Sequence, residues 1–117
     1  MQKLIRMLRG DRRHGGRERA RRVAHLFLDD VLLGEARILD ESDGGFRIAP
    51  SPAARRLPDA ITLVEIETAV AHEVEVAWRG AEDMGLRILS EQRLRGYVPA
   101  RYQKLKDFWE QAAVLTA

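Results

Sequence analysis

Arginines dominate the first 22 residues of the chain. Four of them recur at every fourth position and three more stand beside these: Arg9, Arg13, Arg17 and Arg21, with Arg12, Arg19 and Arg22. The planar guanidinium of arginine can bind a phosphate or the O6/N7 edge of guanine through two parallel hydrogen bonds, and it can also stack on a base. This pattern indicates a partner that carries phosphate, either a nucleotide or a nucleic acid.

A second group of candidate ligand-binding residues lies in the segment 40–45, which reads Asp-Glu-Ser-Asp-Gly-Gly and contains the pattern Asp-x-Ser-x-x-Gly. The carboxylate of Asp40 can accept hydrogen bonds from a ligand, and the hydroxyl of Ser42 can donate or accept them. Gly45 would let the backbone approach a ligand closely. In isolation, the same six residues also fit an Asx or Ser turn at the end of a strand.

The charge of the chain is unevenly distributed. Residues 1–22 contain nine Lys/Arg and two acidic residues, a net charge of +7, while the whole chain carries +2, so the remainder carries −5. Clustered cations concentrate anions, although a basic run can also be a solvated tail. Residues 10–22 have no apolar side chain larger than alanine, which predicts a flexible basic arm that is ordered on binding.

Residues 1–9 differ from the rest of this arm. Leu4, Ile5 and Leu8 fall on one face of a helix, but two helical turns are marginal in isolation. We therefore expect this segment to need a partner in order to stay helical.

The sequence offers little for catalysis. It has no cysteine, and His14, His25 and His72 are far apart. The acidic pairs Asp29-Asp30 and Glu73/Glu75 fall at a turn and on a predicted solvent face, and no phosphate-binding loop or dinucleotide fingerprint is present. We expect neither an enzyme nor a bound metal or cofactor.

The lack of cysteine also agrees with a reducing compartment, so the predicted location is the cytoplasm.

Short segments with a period of two predict six strands separated by turns. Their expected ranges are Val23–Leu28, Leu32–Asp40, Phe46–Ile48, Ile61–Thr68, Val70–Trp78 and Met84–Leu89. In the fifth strand, Val70, His72, Val74, Val76 and Trp78 are predicted to face the core. The proline-containing stretch 49–59 is expected to be a surface connection. Short turns favour antiparallel pairing in a small closed barrel, because parallel strands would need crossover helices.

The C-terminus changes to a helical period. Its apolar residues are Val98, Tyr102, Leu105, Trp109 and Ala112. We expect this helix to cover its own barrel rather than a second copy of the chain.

The predicted organisation is a basic arm at 1–22, a barrel at 23–90 and a C-terminal helical segment at 91–117. No stretch approaches the ~20 apolar residues of a membrane span, and the N-terminus lacks the apolar core of a signal peptide.

Taken together, these features resemble the PilZ domain family over about 70 residues. The resemblance rests on arginines followed by a strand at 17–28, Asp-x-Ser-x-x-Gly at 40–45, Gly-Gly-Phe-Arg-Ile at 44–48, a proline loop, and a tryptophan-ended strand at 74–79 followed by Met-Gly-Leu-Arg-Ile at 84–88. It implies a six-stranded antiparallel PilZ-type β-barrel that binds cyclic di-GMP. In such a receptor, ligand binding changes the conformation and regulates an effector protein, as in the control of motility, biofilm or exopolysaccharide.

The resemblance also implies the ligand-binding residues. They are Arg17, Arg21, Asp40, Ser42 and Gly45, with Arg13 and Arg22 as auxiliary phosphate contacts. The arginine register stays open, because Arg12-Arg13 forms the doublet that often precedes the spacer in this family but lies farther from the first strand. The number of ligands bound, one or a stacked pair, also stays open.

Two other functions remain possible from the sequence. The first is a ligand-independent interaction module of the same fold that docks a partner protein through its helix. The second is a small barrel with a basic arm that binds nucleic acid. Nucleic acid is disfavoured as a partner because most of the aromatic residues fall on predicted core faces.

Overall fold

The computed structural model describes residues 22–116. Within this range the chain forms six strands and one α-helix: β1 Val23–Leu28, β2 Val31–Ser42, β3 Gly45–Pro50, β4 Ala60–Glu65, β5 Val70–Arg79, β6 Met84–Arg93 and α1 Gln103–Thr116. Short 3-10 turns occur at Pro52–Ala54 and Ala100–Tyr102. All neighbouring strands are antiparallel and close into a barrel in the order β1-β2-β3-β6-β5-β4. The predicted mainly β fold, a six-stranded antiparallel barrel with a C-terminal helix, is confirmed.

The barrel interior is filled by side chains that alternate along the strands. Leu26, Ile38, Ile48, Leu63 and Val74 are among its fully buried members. Such aliphatic side chains stabilise a barrel by removing apolar area from water, at roughly 25 cal/mol per Å².

The connection at 49–59 differs from the prediction. Pro50 still pairs with Ala36 at the end of β3, and Ala54 and Leu57 are only 2% and 5% exposed within the interior core. The segment therefore helps to fill the barrel rather than merely crossing its surface. The strand β6 also continues to Arg93, beyond the predicted Leu89.

Helix α1 packs on the outer wall of the barrel. A second core joins Phe27 and Val64 of the wall to Leu105 and Trp109 of the helix. Phe108 meets the Phe27 ring edge to face at 5.1 Å, and the indole Nε1 of Trp109 donates a hydrogen bond to the carbonyl of Ile66 at 2.9 Å. The expectation that the helix covers its own barrel is thus confirmed. Within residues 22–116, no helix combines the length and hydrophobicity needed to cross a bilayer.

Candidate functional site

A bulge in β2 determines which motif side chains reach the surface. The pairing of β2 with β3 shifts between Ile38 and Asp40, so that Leu39 is the additional residue. An extra residue reverses the alternation of side chains that follows it. Asp40 and Ser42 consequently lie on the outer face and are exposed, while Glu41 points into the barrel.

Strand register places Asp40 and Ser42 in two rows that cross four strands. Asp40 is opposite Arg47 of β3, which is opposite Gly85 of β6, and Gly85 is opposite Trp78 of β5. In the second row, Ser42 is followed by Gly45, Arg87 and Glu75. We call the outer surface formed by Asp40, Ser42, Gly45, Arg47, Trp78 and Arg87 the motif face.

Gly45 is required by the strand pairing itself. A Cβ at this position would overlap the backbone carbonyl oxygen of Leu86 on the neighbouring strand, whereas a Cβ at Gly44 would meet nothing within 4 Å. The close approach that the structure shows at Gly45 is to the neighbouring strand β6, and the approach of a ligand to this glycine stays a prediction. Gly45 also lines the concave surface of the motif face.

A shallow pocket of about 350 Å³ lies on the motif face. One of its walls is the indole of Trp78, which lies over Gly85 so closely that a Cβ there would overlap the ring. Trp78 is 46% exposed, so the prediction that it faces the core is wrong. The cause is an irregularity in the β5–β6 pairing between Val76 and Trp78, which turns the side chain outward.

The cations of the motif face are engaged with neighbouring carboxylates. Arg47 donates to Asp83 at 3.0 Å, and Arg87 forms an ion pair with Glu75. Such partly exposed ion pairs contribute little stability, about 0–1 kcal/mol each. A ligand anion can therefore replace the carboxylate partner of either arginine at a small cost in free energy.

Arg22 is not among the residues that line the pocket on the motif face. It is 13% exposed, and its guanidinium donates to Glu41 at 2.6 Å and to Glu65, both inside the open end of the barrel. Burial lowers the pKa of Arg22, but the carboxylates of Glu65 and Glu41 outweigh this effect, so its pKa is raised and the guanidinium stays charged. The structure thus places Arg22, for which the family resemblance implies an auxiliary phosphate contact, as an internal ion-pair partner of Glu41 and Glu65.

The same open end holds a buried histidine. His72 Nε2 is hydrogen-bonded to Glu65 Oε1 at 2.9 Å, His72 Nδ1 lies 3.0 Å from Glu91, and the imidazole meets the Phe46 ring at 4.9 Å. Burial raises the pKa of Glu65, but the hydrogen bond from His72 and the charge of Arg22 outweigh it, so the pKa of Glu65 is lowered. We call Arg22, Glu41, Glu65, His72 and Glu91 the mouth cluster. Residues 22–116 contain no group of three ligands placed to hold a metal ion.

The predicted arginines Arg13, Arg17 and Arg21 lie outside the described residues. Their point of attachment is nevertheless defined, because the carbonyl of Arg22 accepts a hydrogen bond from the amide of Ile38 at 3.0 Å. The chain therefore enters β1 at the end of the barrel where β2 ends at Ser42 and β3 begins at Gly45. Sequence reasoning identified Asp40, Ser42 and Gly45, but it missed Arg47, whose position depends on the bulged β2–β3 pairing, and Arg87, whose position depends on the β3–β6 pairing.

A scan against protein-family models, a search of curated proteins and a search of solved structures found no match for this chain.

Proposed function

We propose that this chain is a cytoplasmic, non-enzymatic receptor of the PilZ type that binds cyclic di-GMP on the motif face. The observation that carries the proposal is the outward placement of Asp40 and Ser42 at the barrel end where the basic arm joins through Arg22. The ligand-binding residues that the family resemblance implies lie on separate parts of the sequence. This placement would bring them together at one site.

The chemistry of the motif face suits a guanine nucleotide. Asp40 can accept from the N1 and N2 donors of guanine, and Ser42 can donate to a phosphate or a base edge. The exposed indole of Trp78 offers an aromatic surface beside them. A pocket of about 350 Å³ is at the lower end of the usual range for ligand sites, which runs from about 300 to 1,000 Å³. The arm would supply the remaining walls.

In this proposal, Arg17 and Arg21 bind the phosphates and guanine faces of the ligand. Arg21 is next to Arg22 in the chain, and Arg17 is five residues from it, a reach of at most about 17 Å. Charge-assisted hydrogen bonds of about 1.5–3 kcal/mol each offset the cost of ordering the arm, about 1–2 kcal/mol for each residue that becomes fixed. Arg13 serves as an auxiliary contact. The ordered arm then forms a surface that an effector protein recognises.

A second candidate function is a ligand-independent interaction module. It is favoured by the ion pairs Arg47–Asp83 and Arg87–Glu75, which neutralise the cations of the motif face without a ligand. In that case the titration below would give no heat with cyclic di-GMP.

Isothermal titration with cyclic di-GMP tests the proposal, with GMP and a single-stranded oligonucleotide as comparison ligands. We expect saturable binding that weakens at least tenfold in the Arg17→Ala/Arg21→Ala variant and in Asp40→Ala. The matched controls are Arg55→Ala/Arg56→Ala, an exposed arginine pair on the proline loop, and Asp30→Ala at the opposite end of β2. Both controls should bind normally. Absence of binding, equal losses in the controls, or tighter binding of the oligonucleotide would refute the proposal.

A further inference from the structure

A second and larger concavity has Arg22 in its lining and none of the residues that define the motif face. It encloses about 1020 Å³ between the end of the β1/β4 wall and the last turns of α1. Its apolar lining comprises Val23, Ile66, Trp109, Ala113, Val114 and Leu115. Val114 and Leu115 are 76% and 86% exposed, so this side of the helix end presents apolar area to solvent. We call this concavity the helix groove.

The rim of the helix groove is acidic. Among the described residues, Glu35, Glu67 and Glu110 line it against one exposed cation, Arg95, which lies over the ring of Trp109 at 5.3 Å. The remaining charged residues of its lining, Arg22 and Glu65, form an ion pair with each other. An apolar floor with a carboxylate rim fits a cationic amphipathic helix, because apolar contact and charge attraction then act together.

Residues 1–9 of this chain have these properties. Met1, Leu4, Ile5 and Leu8 recur at the i, i+3, i+4, i+7 spacing of one helical face. Lys3, Arg6 and Arg9 fall on the remaining faces, and the segment contains no acidic residue. Two helical turns do not persist in water without a partner.

The connection between this segment and the helix groove is sterically possible. Arg22 itself lines the groove, and residue 9 is 13 positions before it in the chain. An extended chain of that length spans up to about 47 Å, whereas the α1 residues that line the groove, Trp109–Leu115, cover roughly 10 Å of helix.

We propose that residues 1–9 dock as an amphipathic helix in the helix groove of their own chain. Leu4 and Leu8 contact the apolar floor near Trp109 and Val114, and the cations face Glu67 and Glu110. This inference is independent of cyclic di-GMP, since it depends on the groove and the N-terminal segment alone.

The lack of cysteine in the chain makes a spin-label experiment direct. A nitroxide on Gln2→Cys of the full chain should broaden the amide resonances of Ile66 and Val114, and leave Gly80, in the turn at the far end of β5, unaffected. Leu8→Asp should abolish the broadening at the groove, since it places a charge on the apolar stripe. Met7→Asp makes the same change of charge outside that stripe and should retain the broadening.

Three results would overturn the proposal. They are the absence of broadening at the groove in the parent chain, equal broadening in Leu8→Asp and Met7→Asp, and broadening in a mixture where the spin label and the isotope label are on different molecules. The last result would assign the groove to a second copy of the chain. Each variant's amide spectrum also reports whether the barrel is folded, so a loss of broadening is interpretable.

Discussion

Arg22 and Glu65 form an ion pair inside the open end of the barrel, at the residue where the basic arm becomes β1. Glu41 accepts a second hydrogen bond from the same guanidinium at 2.6 Å, and His72 bonds the other oxygen of Glu65. These buried ion pairs hold the first residue before β1 in place against the barrel interior. A ligand-dependent movement of the arm would therefore begin before Arg22.

We expect Arg22→Ala to destabilise the barrel by about 2–4 kcal/mol, because it leaves the carboxylates of Glu65 and Glu41 buried without their cation. Urea unfolding at pH 7.5 measures the loss. In a double-mutant cycle, Arg22→Ala combined with Glu65→Gln should be more stable than the sum of the two single losses predicts. Arg37→Ala, an exposed arginine on β2, is the matched control and should change stability by less than about 0.5 kcal/mol. Simple additivity would contradict the ion pair.

Gly45→Ala is expected to destabilise the barrel by more than about 2 kcal/mol, because its Cβ would overlap the carbonyl of Leu86 and separate β3 from β6. Gly44→Ala introduces the same methyl group one residue earlier, where no atom lies within 4 Å, and should be nearly neutral. Thermal unfolding of the two variants tests the difference. Equal melting temperatures would mean that the glycine at 45 has no structural role, and the motif would then have to be explained by ligand contact alone.

The succession of six strands along the chain was predictable from sequence because hydrophobic alternation and turn residues are local properties. Asp29-Asp30 and Asp43-Gly44 form the expected turns, and the β1 and β5 ranges agree closely with the prediction. Trp78 was misplaced because alternation assumes a regular ladder. One irregularity near Ala77 moves the tryptophan from the interior to the motif face.

The candidate site was predictable in part, for a related reason. Asp40 and Ser42 belong to one short motif, which sequence spacing reveals. Arg47 lies opposite Asp40 through the bulged register of the β2–β3 hairpin, and Arg87 joins them through pairing of β3 with β6 at a distance of about 40 residues. No local pattern specifies either register. The inward position of Arg22 could not be inferred either, since it depends on Glu65 in another strand.

The stability of the chain should fall as the pH is lowered from about 7 to 5.5, and His25 should contribute to the loss. Burial lowers the pKa of His25 below 6.5, outweighing the nearby carboxylate of Glu35, and its ring packs on Phe108 at 4.9 Å. The unfolded chain takes up a proton near pH 6.5 that the folded chain resists, so protonation favours unfolding as the pH falls. Glu65, whose pKa is also lowered, acts in the same direction below about pH 4.5.

Urea unfolding at pH 7.5 and 5.5 tests this assignment. His25→Gln should lose less stability between the two pH values than the parent chain, because glutamine does not titrate. Identical losses in both proteins would assign the pH dependence to other groups. Titrating groups that both proteins share contribute equally to the two losses of stability. The difference between the losses therefore reports the contribution of His25.

If both proposals hold, docking of residues 1–9 and binding of cyclic di-GMP should oppose each other. Helix α1 and its groove lie along β1 and β4, whereas the motif face lies on β2, β3, β6 and the end of β5. Only eight residue steps separate Arg9 from Arg17, a span of at most about 29 Å. With Arg17 held at the motif face, this short connection would have to return past Arg22 to reach the groove. Coupling between two binding equilibria is reciprocal. When the two oppose each other, weakening one therefore strengthens the other.

Leu8→Asp should therefore tighten cyclic di-GMP binding by threefold or more, while Met7→Asp should leave the affinity at the parent value. In the spin-labelled parent chain, saturating cyclic di-GMP should correspondingly reduce the broadening at Ile66 and Val114. Unchanged affinity in Leu8→Asp, with docking and ligand binding each demonstrated separately, would show that the arm accommodates both at once. Weaker binding in Leu8→Asp would show that the docked segment instead helps to hold the arm for the ligand, because destabilising a state that favours binding must reduce the affinity.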